Sequence, residues 1–289
     1  MNKEGPELTT ADYATAQPPP VTATLSPSDF SRLRGFIYRE CGINITDAKR
    51  TMLEARLQKR LRKLNLSSFS QYCDYLFSPE GREEELTDMI DQVTTNKTDF
   101  FREPAHFAYL IRNVLPEITR VKRRVAVWSA GCSSGEEPYT LAMVLQEFGC
   151  SFIILATDIS TRVLDRAARA VYDEQQVDPV PDPLKKKYLL KSKDPAKGLY
   201  RVVPELRERV RFRRLNFMDG DFGFREPMDV IFCRNVIIYF DKSTQERLLN
   251  RFCGHLSPKG YIFMGHSETL LGMNVPLTQV APTVYRRAV

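Results

Sequence analysis

The stretch Val125-Ala-Val-Trp128-Ser-Ala130-Gly131-Cys-Ser-Ser-Gly135-Glu136-Glu137-Pro138-Tyr139 constrains the fold more than any other. A short, continuously apolar run passes through a Gly/Ser turn directly into a helix start. Such a run suits a central strand of a parallel sheet, buried on both faces. Glycine in the turn lets backbone come close to a ligand, and the helix N-terminus favours a negative ligand group. The turn is not G-x-G-x-x-G, and no G-x-x-x-x-G-K-[ST] follows, so neither the dinucleotide nor the P-loop fingerprint fits. Instead it carries two carboxylates, Glu136 and Glu137. Carboxylates repel a pyrophosphate and attract a cation, such as a ligand ammonium or sulfonium. Acidic residues in a first helical turn also favour the helix dipole by themselves, so the chemistry depends on what surrounds them.

The surroundings repeat the pattern. Phe152–Thr157 and Met228–Cys233 are further short apolar runs, and Gly260–Gly265 is another. Helical stretches are predicted over Glu136–Phe148 and Thr161–Tyr172. Alternating strand and helix argues for an α/β, doubly wound domain. Thr278–Arg287 holds two β-like pieces and no helix, which suits an edge hairpin. The segment 173–204 breaks the alternation with five prolines, the run Lys185-Lys186-Lys187 and a possible strand Leu199–Val203, and reads as an inserted small β subdomain.

The first third is different. Residues Met1 to about Thr24, with Pro18-Pro19-Pro20, lack hydrophobic periodicity and read as a disordered extension. From there to Val93 the pattern is helical. Ser28 is a candidate N-cap for a helix carrying Phe30, Leu33 and Ile37 and ending at Gly42. Asp47 is a candidate cap for the next, with Leu53, Leu57, Leu61 and Leu64 on one face. Ser67 or Ser68 starts a third, and a fourth runs from Pro79 through Leu86, Met89, Ile90 and Val93.

Four clusters fall at carboxyl ends of predicted strands, where open α/β sheets bind ligands. They are the Glu136/Glu137 turn, Asp158 after the second strand, Asn216-Phe217 after Val210–Leu215, and Cys233-Arg234-Asn235 leading to Tyr239. An acidic residue at Asp158 is placed for ribose hydroxyls, and an apolar ring beside an amide can flank an adenine. Together they describe a pocket for a nucleoside with an amino-acid tail and no phosphate.

These stretches, with Thr94-Thr-Asn96-Lys-Thr98-Asp-Phe-Phe-Arg102-Glu, Ala156-Thr-Asp158-Ile, Phe232-Cys-Arg-Asn-Val-Ile-Ile-Tyr-Phe-Asp241 and Gly265-His-Ser-Glu268, resemble the CheR family of S-adenosyl-L-methionine-dependent protein-glutamate O-methyltransferases. The resemblance runs from about Leu25 to Tyr285. It implies an extension over 1–24, a helical substrate-recognition domain over 25–93 and a linker over 94–102 that contributes to the cofactor site. A Rossmann-like methyltransferase domain follows over 103–289, with 173–204 inserted. It implies that Asn96, Thr98 and Arg102 approach the methionine end of the cofactor and that Glu137 takes its amino group, although spacing alone does not separate Glu137 from Glu136. Asp158 would hold the ribose, Asn216 and Phe217 would border the adenine, and Arg234 and Asn235 would close the pocket. Arg102 and Tyr239 would orient the reacting groups. The product would be S-adenosyl-L-homocysteine.

The formal net charge is +6, which suits nucleic acid and acidic protein equally. Lys49, Arg56, Lys59, Arg60 and Lys63 form a stripe beside the leucine face, opposed within that helix only by Glu54. A one-sign stripe attracts an acidic surface, and the resemblance identifies that surface as the methylation helices of chemoreceptors. Stacking aromatics are not interleaved with the stripe, which argues against nucleic acid, and no Asn/Asp-Pro-Pro-aromatic motif is present. Intact Arg102, Asp158, Asn235 and Tyr239 argue against a non-catalytic sensor. In some members of the resembled family the inserted subdomain docks a receptor's C-terminal peptide. Here its loop, Lys191–Gly198, lacks the Gly-x-Gly turn associated with that docking. Six scattered cysteines without C-x-x-C, and three histidines, give no zinc pattern. No apolar run approaches the roughly 18–20 residues of a membrane span. A cytoplasmic, metal-free monomer without membrane insertion is the resulting expectation.

Overall fold

The computed structural model describes residues 23–224 and 226–288. The predicted extension therefore lies, but for Ala23 and Thr24, outside the described residues. The N-terminal unit is built from α1 (Pro27–Cys41), α2 (Arg50–Lys63), α3 (Phe69–Phe77), α4 (Pro79–Glu84) and α5 (Leu86–Val93). Its core is a separate apolar cluster that includes Phe30, Leu33, Leu53, Leu57, Leu61 and Tyr72.

Three local expectations are corrected. The N-cap of α1 is Ser26, whose Oγ accepts from Asp29 N. Pro27 takes the first helical position, where its missing N–H costs nothing, so the helix begins before Ser28. Asp47 does not cap α2: it opens a 3₁₀ turn, Asp47–Lys49, and its exposed carboxylate pairs with Arg34. The predicted fourth helix is two, divided at the buried Glu85. Gly42 does close α1, in the left-handed conformation, and Ser68 caps α3.

A helical stretch missed by the periodicity argument follows: α6 (Pro104–Tyr109), a π turn over Leu110–Val114 and α7 (Leu115–Thr119). Pro116 cannot donate into the ladder, and a π turn is one way a helix accommodates that.

The second unit is a seven-stranded sheet in the order β6-β2-β1-β7-β8-β10-β9. The strands are β1 (Arg124–Ala130), β2 (Ser151–Asp158), β6 (Val210–Arg214), β7 (Met228–Cys233), β8 (Leu256–Met264), β9 (Leu277–Ala281) and β10 (Val284–Arg287). The five from β6 to β8 are parallel, and the terminal hairpin is antiparallel. Val127 and Phe232 face one apolar cluster while Trp128 and Ile231 face another. Burial on both faces explains the unbroken apolar runs. From β1 the chain winds out to β2 and β6, then returns to the other side as β7 and β8. The topological switch point is thus between β1 and β7, where open α/β sheets form their ligand crevice.

Helix α8 (Glu136–Phe148) has its expected bounds, but α9 (Thr161–Arg169) stops short of Tyr172. Ala170 caps it in the left-handed conformation, and Val171–Asp173 becomes strand β3. A β-branched residue and an aromatic fit a strand better than a helix end. With β4 (Leu189–Lys191) and β5 (Leu199–Val202) it forms the inserted antiparallel sheet, β3-β5-β4, which starts at Val171, before Asp173. No helix among the described residues is long and apolar enough to cross a membrane.

The two units are tied by polar contacts. Tyr38 donates its hydroxyl to Asp241 at 2.6 Å, Asn44 N donates to Tyr239 O at 2.8 Å, and Thr161 and Arg162 bond to Asp91.

Candidate functional site

At the switch point the turn after β1 meets the loop after β7. Gly131, at φ 85°, makes this approach possible: a Cβ there would lie 2.5 Å from Val236 Cγ2. The resulting cleft encloses about 1140 Å³, part of it open to solvent. Its walls include Asn96, Thr98, Arg102, Glu137, Asp158, Asn216, Phe217, Arg234, Asn235 and Tyr239. Residues from five separate stretches of sequence thus share one cavity. The N-terminal unit closes it with Lys49 and with Cys41, Ile43, Ile45 and Met52, the last four an apolar contribution that no sequence motif signalled.

The two adjacent glutamates at the start of α8 diverge. Glu137 faces the cleft; its Oε1 accepts from Ser129 Oγ at 2.7 Å and its Oε2 from Arg234 Nε at 2.8 Å. Glu136 turns the other way and accepts from Ser134 Oγ and from Gln176 Nε2 of the inserted subdomain. Burial pushes the Glu136 carboxyl above its usual range. Asp158 ends β2, and its two oxygens each accept one backbone N–H, from Ser133 at 2.9 Å and from Ser160 at 3.0 Å. Burial raises its pKa, and those N–H groups oppose the shift.

The linker lies across the cleft. Ser133 Oγ donates to Asn96 O at 2.8 Å, fixing linker to turn. Arg102 donates to Lys97 O and has no carboxylate partner among the described residues. Lys97 and Lys49 also line the cleft without an ion pair among those residues, and Lys49 Nζ sits 5.7 Å from the centre of the Tyr239 ring.

Arg234 is a buried hub. Besides Glu137 it reaches Arg102 O at 2.6 Å, Glu103 Oε2 at 3.5 Å and His106 Nδ1 at 3.4 Å, stacked over Phe107 and Phe232. Asn235 adopts φ 60°, and its buried Oδ1 has no hydrogen-bond partner among the described residues. An orphaned acceptor beside the cleft is a place for a ligand donor. Phe217 packs edge-on against Trp128 and Phe252. Asn216 donates to Glu40 O and accepts from Met218 N, which ties the two units and leaves one donor and one lone pair of its amide over.

The expected absence of a metal pattern meets one group: Glu103, His106 and His266 bring ligand-capable atoms within 4.8 Å of one another. The Arg234 guanidinium already lies against His106 Nδ1 and Glu103 Oε2. A resident cation on two of three donors does not fit a divalent ion there.

The basic stripe on α2 does not survive as predicted. Arg60 is 6% exposed, bonded to Glu85 at 2.8 and 2.5 Å and to Asp88 at 2.5 Å, with Tyr72 donating to the same Glu85. These carboxylates lie 25 and 28 residues on, at the junction of α4 and α5 and in the first turn of α5, outside any i,i+4 reckoning. Arg56 is a brace, donating to Val93 O, Thr94 O and Thr95 Oγ1. Lys59 and Lys63 remain exposed on the surface, Lys63 beside Asp88, and Lys49 belongs to the cleft.

Comparison with known proteins gives a consistent answer. A family model described as "CheR methyltransferase, SAM binding domain" matches residues 96–286, and one described as "CheR methyltransferase, all-alpha domain" matches residues 28–94. A chemotaxis protein methyltransferase of Borreliella burgdorferi is 38% identical over 274 residues, covering 91% of this chain and 95% of that one. Chemotaxis protein methyltransferase 2 of Pseudomonas aeruginosa is 42% identical over 264 residues, covering 90% and 93%. The Escherichia coli chemotaxis protein methyltransferase is 38% identical over 265 residues, covering 90% and 91%.

Proposed function

The chain belongs to the CheR family of S-adenosylmethionine-dependent chemotaxis protein methyltransferases, and from that premise we propose that it converts glutamate side chains on the methylation helices of chemoreceptors to methyl esters. The observation that carries this reading is how the cleft sorts charge. Two buried carboxylates, Glu137 and Asp158, lie in it together with the partly exposed cations Lys49 and Arg102 and the exposed Lys97.

The residues present fit S-adenosylmethionine. Glu137 is assigned to its ammonium group, Asp158 to its ribose and the face of Phe217 to its adenine. Asn235 lines the same cleft, and its Oδ1 is the acceptor left without a partner among the described residues. Bound there, the cofactor supplies an electrophilic methyl group on its sulfonium.

A glutamate carboxylate, with an ordinary pKa near about 4.3, is ionised at pH 7 and needs no general base. What remains for the chain is to strip water from that carboxylate and aim it. Arg102, whose guanidinium lacks a carboxylate partner among the described residues, and Lys49 and Lys97 attract and orient it. Tyr239, on the 3₁₀ turn Ile237–Tyr239, presents its ring beside Lys49. Lys59 and Lys63 on the exposed face of α2 favour an acidic helix as the larger acceptor. The test is transfer of labelled methyl groups to membranes containing chemoreceptors. Base-labile label that disappears when the receptor's acceptor glutamates are changed to alanine supports the reading. Label that resists base contradicts it.

A further inference from the structure

Glu268 lies beyond β8, outside the cleft wall and 4% exposed. Its carboxylate accepts four backbone N–H groups. Oε2 takes Gly265 N at 2.6 Å and Asn235 N at 2.9 Å, and Oε1 takes Val236 N and Ile237 N, both at 2.9 Å. Three of these donors are consecutive residues of the loop after β7. Their N–H groups converge on one anion, as in an anion-binding nest whose ligand is built into the chain. Without that anion, the four N–H groups would lose their shared partner, which is costly for any buried donor.

The same loop carries the unusual features of the site. Asn235 is non-glycine yet sits at φ 60°, a conformation that persists only when its surroundings over-determine it. The orphaned Asn235 Oδ1 depends on that conformation for its direction. The Ile237–Tyr239 turn that carries Tyr239 begins at the third N–H. Gly265 allows the contact, since a Cβ there would lie 2.5 Å from Asn235 Nδ2.

We propose that Glu268 is a positioning residue: its four accepted hydrogen bonds hold Asn235 in the geometry that receives S-adenosylmethionine. The proposal rests on the reading of Asn235 as facing the cofactor. The glutamate is required as a carboxylate, because an amide of the same shape offers one acceptor oxygen and turns an N–H₂ group toward donors.

The test is a double-mutant cycle on the full chain with S-adenosylhomocysteine binding as readout, measured by calorimetry without any methyl acceptor. Asn235→Ala and Glu268→Gln are each expected to weaken binding about tenfold or more, a loss of about 1.4 kcal/mol. The double variant is expected to bind no more weakly than Asn235→Ala alone, because Glu268 acts through Asn235. A purely structural role for Glu268 would lower stability and leave the two effects on affinity independent, so multiplying effects overturn the proposal. Wild-type affinity in Glu268→Gln overturns it too. If Glu268→Gln does not fold, Glu268→Asp, which keeps the charge on a side chain one methylene shorter, carries the same cycle. Unchanged binding in Asn235→Ala would defeat the cofactor role of Asn235, and the proposal with it. Weakened binding in Asn235→Ala with none in the Glu268 variants defeats the proposal alone.

Discussion

Arg234 Nε donates to Glu137 Oε2 at 2.8 Å, joining the end of β7 to the first turn of α8 with both side chains almost wholly buried. The pair spans the switch point of the sheet, so the group assigned to the cofactor's ammonium is held in place by a permanent cation behind it. Glu137 retains acceptor capacity on Oε1, which takes only the Ser129 hydroxyl.

Removing Arg234 would leave Glu137 and Glu103 buried without their cation. Breaking a buried pair of this kind costs about 3–5 kcal/mol. Urea unfolding of Arg234→Ala is expected to show a loss of that size. Glu137→Gln leaves Arg234 with Glu103, so it is expected to lose less stability and most of its affinity for S-adenosylhomocysteine.

Arg102 and Tyr239 differ in what their truncation removes. Arg102→Ala deletes a cleft cation with no carboxylate partner of its own among the described residues, and is expected to lower kcat about a hundredfold or more, within the range of a lost charge-stabilising donor. Tyr239→Phe deletes a hydroxyl that makes no hydrogen bond among the described residues and keeps the ring beside Lys49, so a loss of about tenfold or less is expected. Steady-state kinetics on receptor membranes compares them.

The split of the α2 cations is separable in the same way. Arg60→Ala strands the buried Glu85 and is expected to cost about 3 kcal/mol in unfolding experiments while leaving the KM for receptor near wild type. Lys59→Glu is expected to do the reverse: stability within about 0.5 kcal/mol of wild type, as for most surface changes, and a raised KM that converges on wild type at high salt.

His106 provides a pH prediction. Burial, and then the neighbouring Arg234 charge, push its pKa from 6.5 down to about 4, with Glu103 opposing. In that window the unfolded chain binds the proton and the folded chain does not, so stability rises with pH. The contribution is complete above pH 6.5 and is lost as pH falls toward about 4, at most about 3 kcal/mol. Urea unfolding across that range is expected to show a shallower slope for His106→Gln than for wild type.

Much of this was legible in the residues. Continuous apolar runs marked β1, β2 and β7 because both faces of the sheet are covered, and the clusters at Glu137, Asp158, Asn216-Phe217 and Arg234-Asn235 could be named because each follows a strand, whereas Asn96, Thr98 and Arg102, on the linker, came only from the family resemblance. What escaped depended on partners distant in sequence. Glu136 and Glu137 are neighbours on a helix start, so spacing could not say which faces the cleft; Gln176 and Arg234 decide it. Arg60 read as a surface cation because Glu85 and Asp88 lie on other helical turns. Glu268 matched a motif but had no assignable role, since three of its four donors are backbone N–H groups 31 to 33 residues away. Its one available signal was a lone acid directly after an apolar strand.

The most direct test of the central claim is mass spectrometry of receptor peptides after incubation with this protein and S-adenosylmethionine. The account predicts a single added methyl group on glutamate side chains of acidic helical segments, lost on mild base treatment and formed about a hundredfold more slowly with Arg102→Ala. Methylation confined to lysine, arginine or other non-carboxylate side chains would contradict it.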